Sequence, residues 1–170
     1  MRSIKFTPDE IQSIREGRKT QARKPMKGRL VCACMIGNCS HDYATQCVEY
    51  MSAIVSELSQ RCPYGKAGSL LVVQGSLVIR IESVRTERLQ KISDQDAISE
   101  GARKFDGLPS LHPYKQDARW SLGNPKSTSG CLGSPRYAFA NVWESQHKKE
   151  GFRWVDNPWV WVFDFVKESV

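Results

Sequence analysis

Hydrophobic positions along the chain change period several times, and each change marks an element. Ile4 and Phe6 alternate with polar neighbours and read as a short strand. Thr7-Pro8-Asp9-Glu10 follows, with Thr at the N-cap, Pro at the first helical position and Glu three residues after the cap. This predicts a helix over 7–16, with Ile11 and Ile14 on one face and Gly17 as its stop. A turn then leads into a short strand near 20–24. Tyr43, Cys47, Tyr50, Met51, Ile54, Val55 and Leu58 recur every three or four residues, which predicts an amphipathic helix over 42–60. Cys62-Pro63-Tyr64-Gly65 breaks it.

Two strands come next, near 70–74 and 77–86, with Gly75-Ser76 turning or bulging the chain between them. In the second, Leu77, Ile79, Ile81 and Ser83 alternate with Val78, Arg80, Glu82 and Val84. Ser93-Asp94-Gln95-Asp96 starts a helix over 93–100 that Gly101 stops. Residues 102–134 are rich in Gly, Pro and Ser and carry no period, which reads as one long functional or mobile loop. Ser134-Pro135 opens a helix over 134–147 with Phe139, Val142 and Trp143 on its apolar face. The last strand, near 158–166, places Trp159, Trp161, Phe163 and Phe165 on one side and needs cover on both. Strands at both ends and in the middle, with helices between, predict a single α+β domain over 1–170 built on a small β-barrel. The 26–62 stretch is an insertion.

Composition narrows the class. Apolar residues make up 40% and charged residues 25% of 170, a globular balance with no run long enough to span a bilayer. MRSIKFTPDEIQ holds no apolar signal core, so a cytoplasmic protein without membrane association is expected. The net charge of +7 permits a polyanionic partner and equally fits a solvated basic surface. Cysteines at 32, 34, 39, 47, 62 and 131 are expected as reduced thiols. Cys32-x-Cys34, Cys39-x-His41 and Cys47 are soft ligands in one stretch, but their spacing does not repeat cleanly, so no metal or other cofactor is expected.

Chemistry concentrates in few places. Arg18, Lys19, Arg23 and Lys24 follow a helix end and suit phosphate oxygens, although bare charge favours a solvated turn. Glu100 closes a helix and could pair with Lys19, since a partly buried Lys and Glu can activate a nucleophile together. No phosphate-cradling glycine loop and no nucleophile elbow is present. Histidines stand singly at 41, 112 and 147. Among the tryptophans, Trp143, Trp159 and Trp161 have core periodicity, and Trp120 is the better stacking platform for a base.

Four motifs occur together in one order. They are Gly17-Arg18-Lys19-Thr20-Gln21-Ala22-Arg23-Lys24, Cys62-Pro63-Tyr64-Gly65-x-x-Gly68, the Arg88-Leu89-Gln90-x-Ile92-Ser93-x-x-Asp96-Ala97-x-x-Glu100-Gly101 segment, and Asn157-Pro158-Trp159-Val160-Trp161-Val162. In this the chain resembles bacterial and phage ASCH-domain proteins over residues 4–166, the 26–61 stretch excepted. The resemblance implies a PUA-like β-barrel with flanking helices, RNA binding, and a phage or prophage setting. Some members of that group hydrolyse N4-acetylcytidine with a Thr nucleophile and Lys and Glu partners. Lys19 and Glu100 match the partners, whereas Ala22 stands where the Thr would be. Ser69, Val72, Gln74 and Gly75 replace polar or aromatic residues of the pattern after the Cys-Pro-Tyr-Gly turn. The expectation is therefore a domain that binds RNA or a modified nucleotide through Arg18, Lys19, Thr20, Arg23, Lys24 and Trp120, with an impaired catalytic pair Lys19 and Glu100. The alternatives are an amidohydrolase acting on N4-acylated cytidine, and a protein-interaction module using the 26–62 insertion.

Overall fold

A computed structural model describes residues 2–26, 61–74, 77–108 and 119–168. The helix expected over 42–60, Cys32, Cys34, Cys39, Cys47, His41 and His112 lie outside the described residues. In chain order the elements are β1 (Arg2–Ile4), α1 (Pro8–Arg15), β2 (Gln21–Pro25), β3 (Leu70–Val73), β4 (Leu77–Arg88), α2 (Asp94–Ser99), β5 (Arg103–Lys104), β6 (Trp120–Ser121), α3 (Pro135–Gln146) and β7 (Trp159–Glu168). The class is α+β, as the changing period predicts.

Each helix begins where its cap is written. Thr7 Oγ1 accepts from Glu10 N while Glu10 Oε2 accepts from Thr7 N, a reciprocal capping box. Ser93 and Asp96 do the same for α2, and Ser134 Oγ accepts from Tyr137 N for α3.

Five strands form one sheet in the order β1-β3-β4-β7-β2. β1 runs parallel to β3, and the other neighbours are antiparallel. The expected barrel is not closed. Among the described residues β1 and β2 are edges that do not pair with each other. β1 is only three residues long, and the chain leaves it directly into α1. Side chains close what hydrogen bonds do not. Ile4 of β1, Ile14 of α1, Ala22 of β2, Leu71, Ile79, Phe163 and Phe165 share one apolar cluster, so both edges fold over the same core with α1 between them.

β7 is covered on both faces, as its composition requires. Phe163 and Phe165 enter the first cluster, Trp161 packs on Met26 and Cys62, and Val160 and Val162 face Leu89, Ile92, Ala97, Phe139 and Trp143 beneath α2 and α3. Complete burial of each large apolar side chain contributes roughly 1.5–3 kcal/mol, which makes this strand the spine of the domain.

Two expectations are corrected by the backbone. In β4 the register slips between Ile81 and Ser83, a β-bulge. Leu77, Ile79 and Ile81 are buried, yet Ser83 is exposed, and past the bulge Thr86 is the buried position. The 102–134 stretch is also not a plain loop. β5 and β6 form a two-stranded ribbon, and Trp120 bridges on to Leu132. Strands of two residues are too short to show a period, so the pattern could not announce them.

Candidate functional site

The turn after α1 carries Lys19 inward. Gly17 has a φ of +74°, and the amides of Arg18 and Lys19 both donate to Ser13 O at 2.9 and 3.1 Å, which wraps the chain around the helix end. Thr20 N then donates to Ser99 O at 2.8 Å, and this stitches the start of β2 to the end of α2. Lys19 and Glu100, 81 residues apart in sequence, meet as a result. Lys19 Nζ lies 2.5 Å from Glu100 Oε2 and 3.5 Å from Glu10 Oε1, and the Lys19 and Glu100 side chains are each 2% exposed. Gly101 (φ +107°) ends α2 where a side chain would stand 3.6 Å from Lys19 Cβ.

Around this pair runs a cavity of about 100 Å³, room for several waters. Glu10 and Ser13 of α1, Lys19, Arg23 and Lys24, Glu100, and Phe139, Trp143 and His147 at α3 line it, with Leu122 and Gly123 after β6. His147 lies flat on Trp143, with ring centroids 3.9 Å apart and 15° between planes. Burial pushes the His147 imidazole below its ordinary value, so the neutral ring is favoured. Lys24 is likewise lowered by burial, only partly offset by Glu10. Burial raises Glu10, but Lys19, Lys24 and the hydrogen bonds with Thr7 together outweigh it and hold its carboxyl below the usual range.

Arg23 forms the other half of the buried charge. Its Nη2 meets Glu87 at 2.6 Å and Asp96 at 3.1 Å, its Nη1 meets Glu100 at 3.1 Å, and its side chain is 0% exposed. Gln21 Oε1 also accepts from Nη1. Glu100 therefore sits between Lys19 and Arg23, one carboxylate oxygen to each.

Sequence-expected residues divide accordingly. Lys19 and Glu100 come together. Arg23 is held by carboxylates inside the protein and is not turned to solvent. Lys24 is half-buried, with Nζ 2.9 Å from Lys5 O and 4.6 Å from the Phe6 ring centre. Arg18 pairs with Glu16 at 2.6 Å. Thr20 is exposed and does not line the cavity, and Trp120 lies half-buried in the ribbon, also off the cavity wall. Ala22 is 1% exposed within the apolar cluster and is not part of that wall either.

Sequence reasoning missed Glu10, His147 and the Glu87–Asp96 pair of acids. Glu10 and Asp96 were legible only as capping residues, and both do a second job in the site. His147 follows Trp143 by four residues, one helical turn, which is the signal that places the two rings on one face.

No family model matches the chain, and no curated protein matches it. Two solved structures align with nearly its whole length. An ASCH domain from Lactobacillus crispatus JV V101 shares 16% identity at a TM-score of 0.44, covering 97% of this chain and 79% of that one. A DUF984 protein from Enterococcus faecalis V583 shares 12% identity at a TM-score of 0.46, covering 98% and 80%. At such identities and TM-scores neither a family nor an activity carries across. Among the described residues no helix is long and apolar enough to cross a membrane.

Proposed function

We propose that the domain binds RNA or a modified nucleotide, taking a planar base into the cavity, and turns it over poorly or not at all. The observation that carries this reading is the make-up of the cavity wall. The flat His147–Trp143 stack contributes to it, and so do the buried Lys19 and Glu100 and the half-buried Glu10. A flat ring with polar edges matches that combination, because stacking serves its face and fixed charges serve its edge.

Support for poor turnover lies in what the acyl carbonyl would meet. Covalent transfer needs an oxygen or sulfur nucleophile near the base that activates it. Ala22 has none, and its methyl group packs in the core. The hydrogen bonds of Lys19 Nζ go to Glu100 oxygens and to no hydroxyl among the described residues.

The test is titration of N4-acetylcytidine into the full chain, with parallel assay of deacetylation. Binding is expected, weakened roughly 5- to 100-fold in His147→Ala by the loss of one stacking face, with no deacetylation. Ala22→Thr should gain no activity, since its hydroxyl would enter the apolar cluster. Deacetylation by the unaltered chain that disappears in Lys19→Ala would replace this reading with the amidohydrolase alternative, which draws on the same 2.5 Å Lys19–Glu100 contact. The protein-interaction alternative rests on the 26–62 stretch, of which residues 27–60 lie outside those described.

A further inference from the structure

Arg103 Nε and Arg119 Nη1 are buried and have no hydrogen-bond acceptor among the described residues. Both residues are half-buried, but buried N–H groups are rarely left without an acceptor, and each calls for a cause. The two arginines belong to one surface. Arg103 pairs with Ser121 and Lys104 with Trp120, and Phe105 N donates to Arg119 O at 2.8 Å, which continues the ladder. Side chains alternate along strands, so Arg103, Phe105 and Arg119 share one face of the ribbon and Lys104 and Trp120 the other. The Arg103 guanidinium lies over the Phe105 ring, 4.5 Å from its centre, and its Nη2 donates to the Asn124 carboxamide. It is thus held flat with one edge still lacking an acceptor.

Both strands of the ribbon connect directly to the cavity wall. Glu100 lines the cavity, and Arg103 follows Gly101 by two residues, roughly 6.5 Å of extended chain. On the other strand Leu122 and Gly123, directly after β6, line it too. Arg18 approaches from the α1 side, with Nη1 3.4 Å from Gly101 O, and grips Glu16, the carboxylate whose charge Arg103 also feels. Arg18 and Arg103 thus share one carboxylate, Glu16, close to Gly101, which follows Glu100 of the cavity wall.

We infer that this ribbon face is a phosphate subsite, in which Arg103 and Arg119, with Arg18 beside them, take the phosphate of a nucleotide whose base occupies the cavity. The inference rests on the nucleotide reading above and deepens it. Planar forks with unused N–H groups suit phosphate oxygens, and the phosphate supplies the missing acceptors. A free nucleotide and a strand backbone would present the same chemistry there.

The experiment has two arms on the full chain. In the first, N4-acetylcytidine, its 5′- and 3′-monophosphates and a trinucleotide containing it are titrated by calorimetry into the wild type, Arg103→Gln and Arg119→Gln. A phosphate should tighten binding about tenfold over the nucleoside, and either variant should lose that gain while keeping nucleoside affinity. A gain with the monophosphates indicates a free nucleotide, and a gain with the trinucleotide alone indicates a backbone phosphodiester. In the second arm inorganic phosphate is added to the wild type while the arginine Nε–H resonances are followed. Shifts at Arg103 and Arg119 support the subsite. Nucleoside binding with no phosphate gain and no such shifts overturns it. Failure of every nucleoside and nucleotide to bind overturns the base-binding reading instead, and the inorganic phosphate shifts then decide the subsite alone.

Discussion

Glu100→Gln is the substitution that most directly interrogates the buried charge. Glu100 gives one oxygen to Lys19 at 2.5 Å and the other to Arg23 at 3.1 Å, with its side chain 2% exposed. Removing one member of a buried pair costs about 3–5 kcal/mol when the other charge is stranded. The stranding here is incomplete. Arg23 keeps Glu87 at 2.6 Å and Asp96 at 3.1 Å, and Lys19 keeps Glu10 at 3.5 Å and the Glu100 carbonyl at 3.3 Å. Glutamine also retains an acceptor oxygen. The expected loss is therefore lower, about 2–3 kcal/mol. For a chain of this size that lowers Tm by roughly 4–12 °C. Urea denaturation with unchanged m-value is the assay. Lys19→Met in the Glu100→Gln background should cost less than the sum of the two single changes, because the second removes the cation the first left exposed to an apolar surrounding. A loss below about 1 kcal/mol, or strict additivity, would refute the argument that the pair is held by mutual neutralisation.

The Cys-Pro-Tyr-Gly turn offers a second test. Gly65 has a φ of +131°, and a Cβ there would stand 2.6 Å from Ser69 Cβ and Oγ, whereas Gly68 (φ +85°) has nothing within 4 Å. Gly65→Ala should cost more than about 2 kcal/mol through clash plus strain, and Gly68→Ala about 1 kcal/mol through strain alone. Equal losses in thermal melts would count against the close approach. The third concerns pH. Burial lowers His147 from its ordinary 6.5, an effect that Lys24 reinforces and the Trp143 carbonyl and Glu10 oppose. The unfolded chain then takes up that proton first, so stability falls as pH drops through about 6.5 and this part of the decline ends below the folded value. His147→Phe should flatten the Tm profile between about pH 7 and 5, and an unchanged slope would show that other groups set it.

How the domain divides between local and distant causes is clear from particular residues. Thr7, Ser93 and Ser134 start their helices where the sequence places them, because capping is a contact within three residues and needs no tertiary partner. The apolar run of β7 demanded two covered faces and has them, since its composition leaves no side that water could tolerate. The β5–β6 ribbon escaped notice because two residues carry no period, and the bulge after Ile81 because one extra residue inverts the alternation without altering composition. Lys19 and Glu100 were each legible as chemistry, and a motif resemblance named them together, but only the stitch from Thr20 to Ser99 brings them within 2.5 Å. Glu10, Asp96 and His147 look like caps and a helix end in one dimension. They become parts of a site because α1, α2 and α3 converge on the end of β2. Short-range sterics and hydrogen bonds are written residue by residue. Which charge faces which, across dozens of residues, follows from sheet register and helix packing, and those exist only once the chain has folded.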